Sequence, residues 1–140
     1  MKKVMVFGTF DGLHMGHRSL FQQARKYGDY VIAVVARDST VKKVKDHIPL
    51  EKQEERLRQV RDCPGIDEAR LGYEDDQYRV IFEVKPDVIC LGYDQRAFVD
   101  KLAEKIEKSG LHTKIYRMKP YQPGKYHSSL LGRGIRTSIN

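Results

Sequence analysis

Hydrophobic positions along the chain fall into short runs separated by amphipathic stretches. Val4-Met5-Val6-Phe7 is continuously apolar and stops at Gly8, the pattern of a strand covered on both faces. Residues 30–36 repeat that pattern and are rich in β-branched side chains, which favour extended backbone. A third such run, residues 88–91, ends at Gly92, and weaker strands are predicted over 66–71 and 113–116. Helical spacing appears between them. Leu20, Phe21 and Ala24 recur through 16–27, before Gly28-Asp29 stops the helix. Residues 51–61 form a charged amphipathic helix with Leu57 and Val60 inward, closed by Pro64-Gly65. Val80, Ile81 and Val84 mark a helix over 76–84, ended by Pro86. Leu102, Ala103 and Ile106 mark another over 97–108, which stops at Ser109-Gly110. Residues 119–125, with two prolines and a glycine, read as a loop, and 128–135 as the start of a short final helix. This alternation predicts an α/β, Rossmann-like, doubly wound fold. Its sheet is five-stranded and mainly parallel, with helices on both faces and a single domain over 1–140.

Composition narrows the class. Of 140 residues, 40% are hydrophobic and 32% charged, which is globular rather than disordered or fibrous. The longest apolar run, 31–36, has six residues against the roughly 20 of a bilayer span, so no membrane helix is expected. Met1-Lys2-Lys3 and the run after it are too short for a secretory segment, which makes a cytoplasmic protein the expectation. Cys63 and Cys90 then read as reduced thiols, Cys90 within a buried strand. With no CxxC pair or Cys/His cluster, no structural zinc site is expected. Lysines and arginines number 26 against 19 acids, a net charge of +7 that would gather nucleic acid, acidic membrane or nucleotides. Without a single-sign tail or basic repeat, no nucleic-acid partner is expected.

Ligands of open parallel sheets bind outside the carboxyl ends of the strands. Three such ends carry unusual residues here, from Gly8, from Arg37 and from Gly92. The densest is Gly8-Thr9-Phe10-Asp11-Gly12-Leu13-His14-Met15-Gly16-His17, which opens a helix. Its glycines allow backbone to approach a ligand closely, and a helix start offers amides to phosphate. His14 and His17 lie three apart, so both imidazoles can face one phosphate. There they can donate hydrogen bonds to charge that builds in phosphoryl or nucleotidyl transfer. Lys42, Lys43 and Lys45 are read as phosphate contacts rather than as a solvated face. Ser128-Ser129 can equally be a helix N-cap, and Asp94 a turn aspartate.

The Gly8–His17 string resembles the signature of the cytidylyltransferase-like nucleotidyltransferases, with their HxGH phosphate-binding motif. Residues 36–45 look like the lysine-bearing segment of archaeal-type FAD synthases. Gly92-Tyr93-Asp94-Gln95 resembles the loop that holds ribose and base, and residues 125–131 resemble a variant of the family's C-terminal ISSTxI motif. The resemblance implies that Thr9 and Phe10 offer backbone groups to the nucleotide. It implies that His14 and His17 contact the phosphates and stabilise the transition state. Lys42 or Lys45 would bridge the phosphates of the two substrates, and Asp11 would face the acceptor phosphate or help hold a metal ion. Asp94 would take ribose or base, Ser128 and Ser129 the β- and γ-phosphates, and Arg56 would serve the acceptor. His127 stands where the family has a small hydroxyl residue.

The expected reaction moves a nucleoside monophosphate from a nucleoside triphosphate to a small phosphorylated acceptor, releasing pyrophosphate. Positioning and charge neutralisation carry such a step. Mg2+ or another divalent cation would arrive largely through the triphosphate. Archaeal-type FAD synthases, which join ATP to FMN, are the nearer resemblance; glycerol-3-phosphate cytidylyltransferases, which use CTP, are the alternative. Their Arg-Thr-Glu-Gly is replaced here by Tyr121-Gln122-Pro123-Gly124. Family resemblance also implies a homodimer. A non-catalytic anion- or RNA-binding module is the reading from another class; it predicts loss of a histidine or of the lysines, and all are present.

Overall fold

In the computed structural model, which describes residues 1–96 and 99–121 apart from the side chain of Lys45, alternate residues of β1 (Lys3–Gly8) enter two separate cores. Val4 and Val6 join Val31, Ala33 and Val35 of β2 (Tyr30–Val35) on one face. That face is covered by Phe21 and Ala24 of α1 (Met15–Arg25) and by Val60 of α3 (Gln53–Arg61). Met5 and Phe7 join Ile32 and Val34 on the other face, under α4 (Arg79–Val84) and α5 (Val99–Ser109). Val80 and Ile81 of α4 and Leu102 and Ile106 of α5 complete this second core. Each such side chain contributes about 1.5–3 kcal/mol by leaving water. A run with no polar alternation is therefore what a two-faced sheet requires.

The remaining strands are β3 (Glu68–Leu71), β4 (Val88–Leu91) and β5 (Lys114–Arg117). All four pairings are parallel, in the order β3-β2-β1-β4-β5, as the alternation predicts. Val6 pairs with Ala33 on one side and with Cys90 on the other, so β1 is central. The chain leaves β1 for β2 on one side and returns to β4 on the other. That reversal opens a crevice outside the carboxyl ends of β1 and β4.

Residues 38–45 depart from the sequence reading. The lysine segment, for which the hydrophobic pattern predicts no element, is a helix, α2 (Asp38–Lys45), with Val41 as its buried residue. It ends at Asp46 in the left-handed conformation, φ 59°, where a glycine would have announced the stop. The helix expected over 128–135 lies outside the described residues.

Candidate active site

The site begins where β1 stops. Phe10 adopts φ 56°, turns its ring back over the end of the strand and is buried. A Cβ at Gly8 would stand 2.8 Å from Phe10 Cζ, so the strand must end in glycine. The Phe10 ring packs against Phe21 at 5.3 Å and meets His17 nearly edge-on, with centroids 5.4 Å apart. The φ at Phe10 is a strained value for a non-glycine residue, and burial of a large ring offsets it.

His14 caps α1. Its Nδ1 accepts the Gly16 amide at 3.0 Å, and His17 Nδ1 accepts the His14 amide at 3.1 Å. Two histidines thus form the reciprocal capping box that Ser/Thr and Glu usually make. The rings stack, with centroids 3.9 Å apart and an interplanar angle of 25°. Because each Nδ1 accepts from a backbone amide, the neutral rings carry their proton on Nε2. Both outward nitrogens are therefore donors. They stand at the start of a helix whose dipole adds positive potential.

A cavity of about 820 Å³ follows the carboxyl edge of the sheet, from β5 and β4 past β1 to β2 and β3. Thr9, Phe10, Asp11, His14, His17 and Asp94 all line it. Lys42 is exposed on α2 outside the lining, whereas Val41 and Val44 of the same helix contribute to it. Lys45 is the last residue of α2. Ser128 and Ser129 lie outside the described residues.

Arg56 does not reach a ligand-facing surface. It is fully buried, and its guanidinium donates to the Glu51, Thr9 and Ala36 carbonyls at 3.0, 2.7 and 2.8 Å. Its Nη2 pairs with Asp38 Oδ1. The expected acceptor contact is thus corrected: Arg56 ties together the segments after β1 and β2 and the start of α3. Asp11 is engaged as well, its two oxygens accepting the Leu50 and Glu51 amides at 2.8 and 3.0 Å. Gly12 donates back to Glu51 at 2.9 Å, closing the latch. Among the described residues, no group of three or more His, Cys, Asp or Glu could hold a metal ion. With Asp11 committed to backbone, the donors among the described residues do not fit a resident metal.

Two contributors escaped the sequence reading. Arg117 of β5 donates from one Nη to the Gly92, Tyr93 and Gln95 carbonyls at 2.9, 3.3 and 2.9 Å, clamping the loop after β4. Gln95 bridges from that loop to the Phe7 carbonyl at 3.2 Å. Tyr73, just past β3, lines the far end of the cavity.

Residues 5–134 match the cytidylyltransferase-like family. A Thermoplasma acidophilum protein named FAD synthase is 37% identical over 139 residues, covering 99% of this chain and 97% of its own length. One of the same name from Aciduliprofundum boonei is 42% identical over 121 residues, 86% of this chain and 80% of its own. A Thermoplasma volcanium crystal structure, described as a lipopolysaccharide core biosynthesis protein, is 41% identical with a TM-score of 0.82. That likeness covers 87% of this chain and 99% of the other. Among the described residues no helix is long and apolar enough to cross a membrane.

Proposed function

Because the chain belongs to the cytidylyltransferase-like family, and is a nucleotidyltransferase, we propose that it is an FAD synthase joining the adenylyl group of ATP to FMN. The observation that carries this reading is the near full-length match to the Thermoplasma acidophilum FAD synthase. The stacked histidine pair at the switch point supplies matching chemistry.

An FMN phosphate oxygen attacks the α-phosphorus of ATP. The bond from that phosphorus to the α,β-bridging oxygen breaks, and pyrophosphate leaves with the electron pair. Negative charge grows on the non-bridging and leaving oxygens. The two Nε2–H groups, held by their Nδ1 bonds to backbone, act as preorganised donors to it. Removing one such donor typically costs a factor of 10²–10³ in rate. Lys42 or Lys45 of α2 supplies the cationic bridge between the two substrates' phosphates. The backbone at Thr9 and Phe10 and the carboxylate of Asp94 orient the nucleotide. Ser128 and Ser129 serve its outer phosphates. A divalent cation enters bound to ATP as part of that substrate and screens its charge.

The test is direct. Purified protein is given ATP with FMN, and in parallel CTP with glycerol 3-phosphate, each with Mg2+, while pyrophosphate and products are followed. FAD formed with matching pyrophosphate is expected. CDP-glycerol without FAD would overturn the reading.

A further inference from the structure

The cavity has two unlike ends on either side of the histidines. Over β4 it is polar, with Asp94, Gln95 and Arg96. Over β2 and β3 its walls are apolar at Val34, Ala36, Val41 and Val44 and aromatic at Tyr73, with Thr40, His47 and Gln77 as uncharged polar members. Among the described residues, no Asp, Glu, Lys or Arg of β2, α2 or the segment after β3 lines this second end. Resting on the flavin reading above, we propose that this second end is the subsite for the acceptor's fused-ring system, with Tyr73 as its aromatic wall and Val44 as a further apolar contact.

Tyr73 is held in place before any ligand arrives. Its hydroxyl donates to Glu83, with both carboxylate oxygens at 2.8 Å, and the Arg79 guanidinium lies 4.3 Å from its ring centroid. Glu83 and Arg79 are themselves braced, by Arg70 at 3.6 Å and by Asp75 at 3.6 Å. An aromatic ring fixed in this way loses little freedom when a flat ligand stacks on it. Gly72 keeps the adjoining floor low, since a Cβ there would press on Val34 Cγ1 at 3.3 Å.

Val44 is the second observation. It is 45% exposed although it sits on the same helix as the buried Val41, and it faces the cavity. Exposed apolar surface inside a concave site marks where an apolar ligand part is received. A polyol phosphate would find partners at this end in Thr40, His47 and Gln77 but would leave the apolar walls and the tyrosine face uncovered. A planar heteroaromatic ring covers the same walls favourably and stacks on tyrosine. The apolar walls and the fixed tyrosine therefore favour a flat ring, whose heteroatoms can also meet Thr40, His47 or Gln77.

The experiment compares the wild type with Tyr73→Ala and Tyr73→Phe, and with Val44→Asp at an exposed position that carries little folding risk. Three quantities are read: KM for FMN and for ATP, quenching of flavin emission on binding, and inhibition by lumichrome, which has the ring but no ribityl phosphate. Tyr73→Ala is expected to raise the FMN KM about tenfold, to weaken lumichrome inhibition by a similar factor and to lose most of the quenching. The ATP KM should stay within about twofold, since stacking on the ring does not touch the nucleotide. Tyr73→Phe keeps the ring and should sit close to wild type in quenching. Val44→Asp should weaken lumichrome more than ATP. If these variants leave lumichrome inhibition unchanged, or move both KM values together, the subsite is wrong while the synthase reading stands on wild-type activity. If the wild type neither forms FAD nor quenches flavin emission, the synthase reading fails first and takes this subsite with it.

Discussion

Arg56 Nη2 and Asp38 Oδ1 meet 2.6 Å apart beneath the site, the arginine wholly buried and the aspartate about one-third exposed. The same guanidinium satisfies three carbonyls, so its removal strands several acceptors at once. Breaking a buried pair by deleting one partner costs about 3–5 kcal/mol. Arg56→Ala should fall toward the lower end of that range, because water can reach Asp38. Arg56→Lys, with one compact ammonium in place of a planar fork, should recover only part of the loss. Urea unfolding measures both, and an Arg56→Ala midpoint equal to wild type would show that the tie carries little.

His17→Ala should lower turnover by ~10²-fold or more, the range for losing a transition-state donor. It should also cost about 1 kcal/mol of stability, because the His14 amide loses its acceptor. His17→Asn offers an amide oxygen to that same backbone donor. Stability should return while the rate does not, and a rate that recovered with stability would assign His17 to the fold alone.

Arg117→Ala releases three carbonyls of the loop after β4. The expected result is a KM for ATP raised about tenfold, the low end for hydrogen bonds to a charged donor that remains exposed. The FMN KM should stay near wild type. Equal effects on both substrates would mean that the clamp serves the whole sheet edge rather than the nucleotide loop.

Burial pushes the Cys90 thiol up to about 12, and the Cys63 thiol is also raised. At pH 8 a thiol at about 12 is ionised in roughly one molecule in ten thousand, so native Cys90 should resist a thiol-disulfide reagent until the protein unfolds. The contribution of Cys90 is complete below the ordinary thiol value of about 8.5 and is lost as pH climbs from there toward about 12. Rapid labelling of both thiols in the native protein at pH 8 would contradict the buried placement.

The strands were legible because a sheet covered on both faces imposes continuous apolar runs, and residues 4–7, 30–36 and 88–91 have them. The closeness of the two histidines was legible because both lie within one strand–helix turn, whereas their capping of α1 was not, since that role is usually filled by Ser/Thr and Glu. α2 was not: it buries Val41 and stops at Asp46 without a glycine, so neither face nor terminus stood out. Arg56 was misread because its partners are main-chain oxygens 5, 20 and 47 positions away, which no local pattern encodes. Tyr73 and Arg117 were missed for a related reason, since each meets the site only through the order in which the strands are laid side by side.

Three of the four groups that Arg56 holds are main-chain oxygens. A guanidinium that grips carbonyls at 9, 36 and 51 is indifferent to which side chains occupy those positions. Residues along these segments can be exchanged while the frame keeps its shape, except Asp11, Asp38 and Glu51, whose side chains fasten it too. Lengthening or shortening the chain between 36 and 51 would instead drag the grip out of reach. Such a scaffold is tolerant of spelling and strict about spacing.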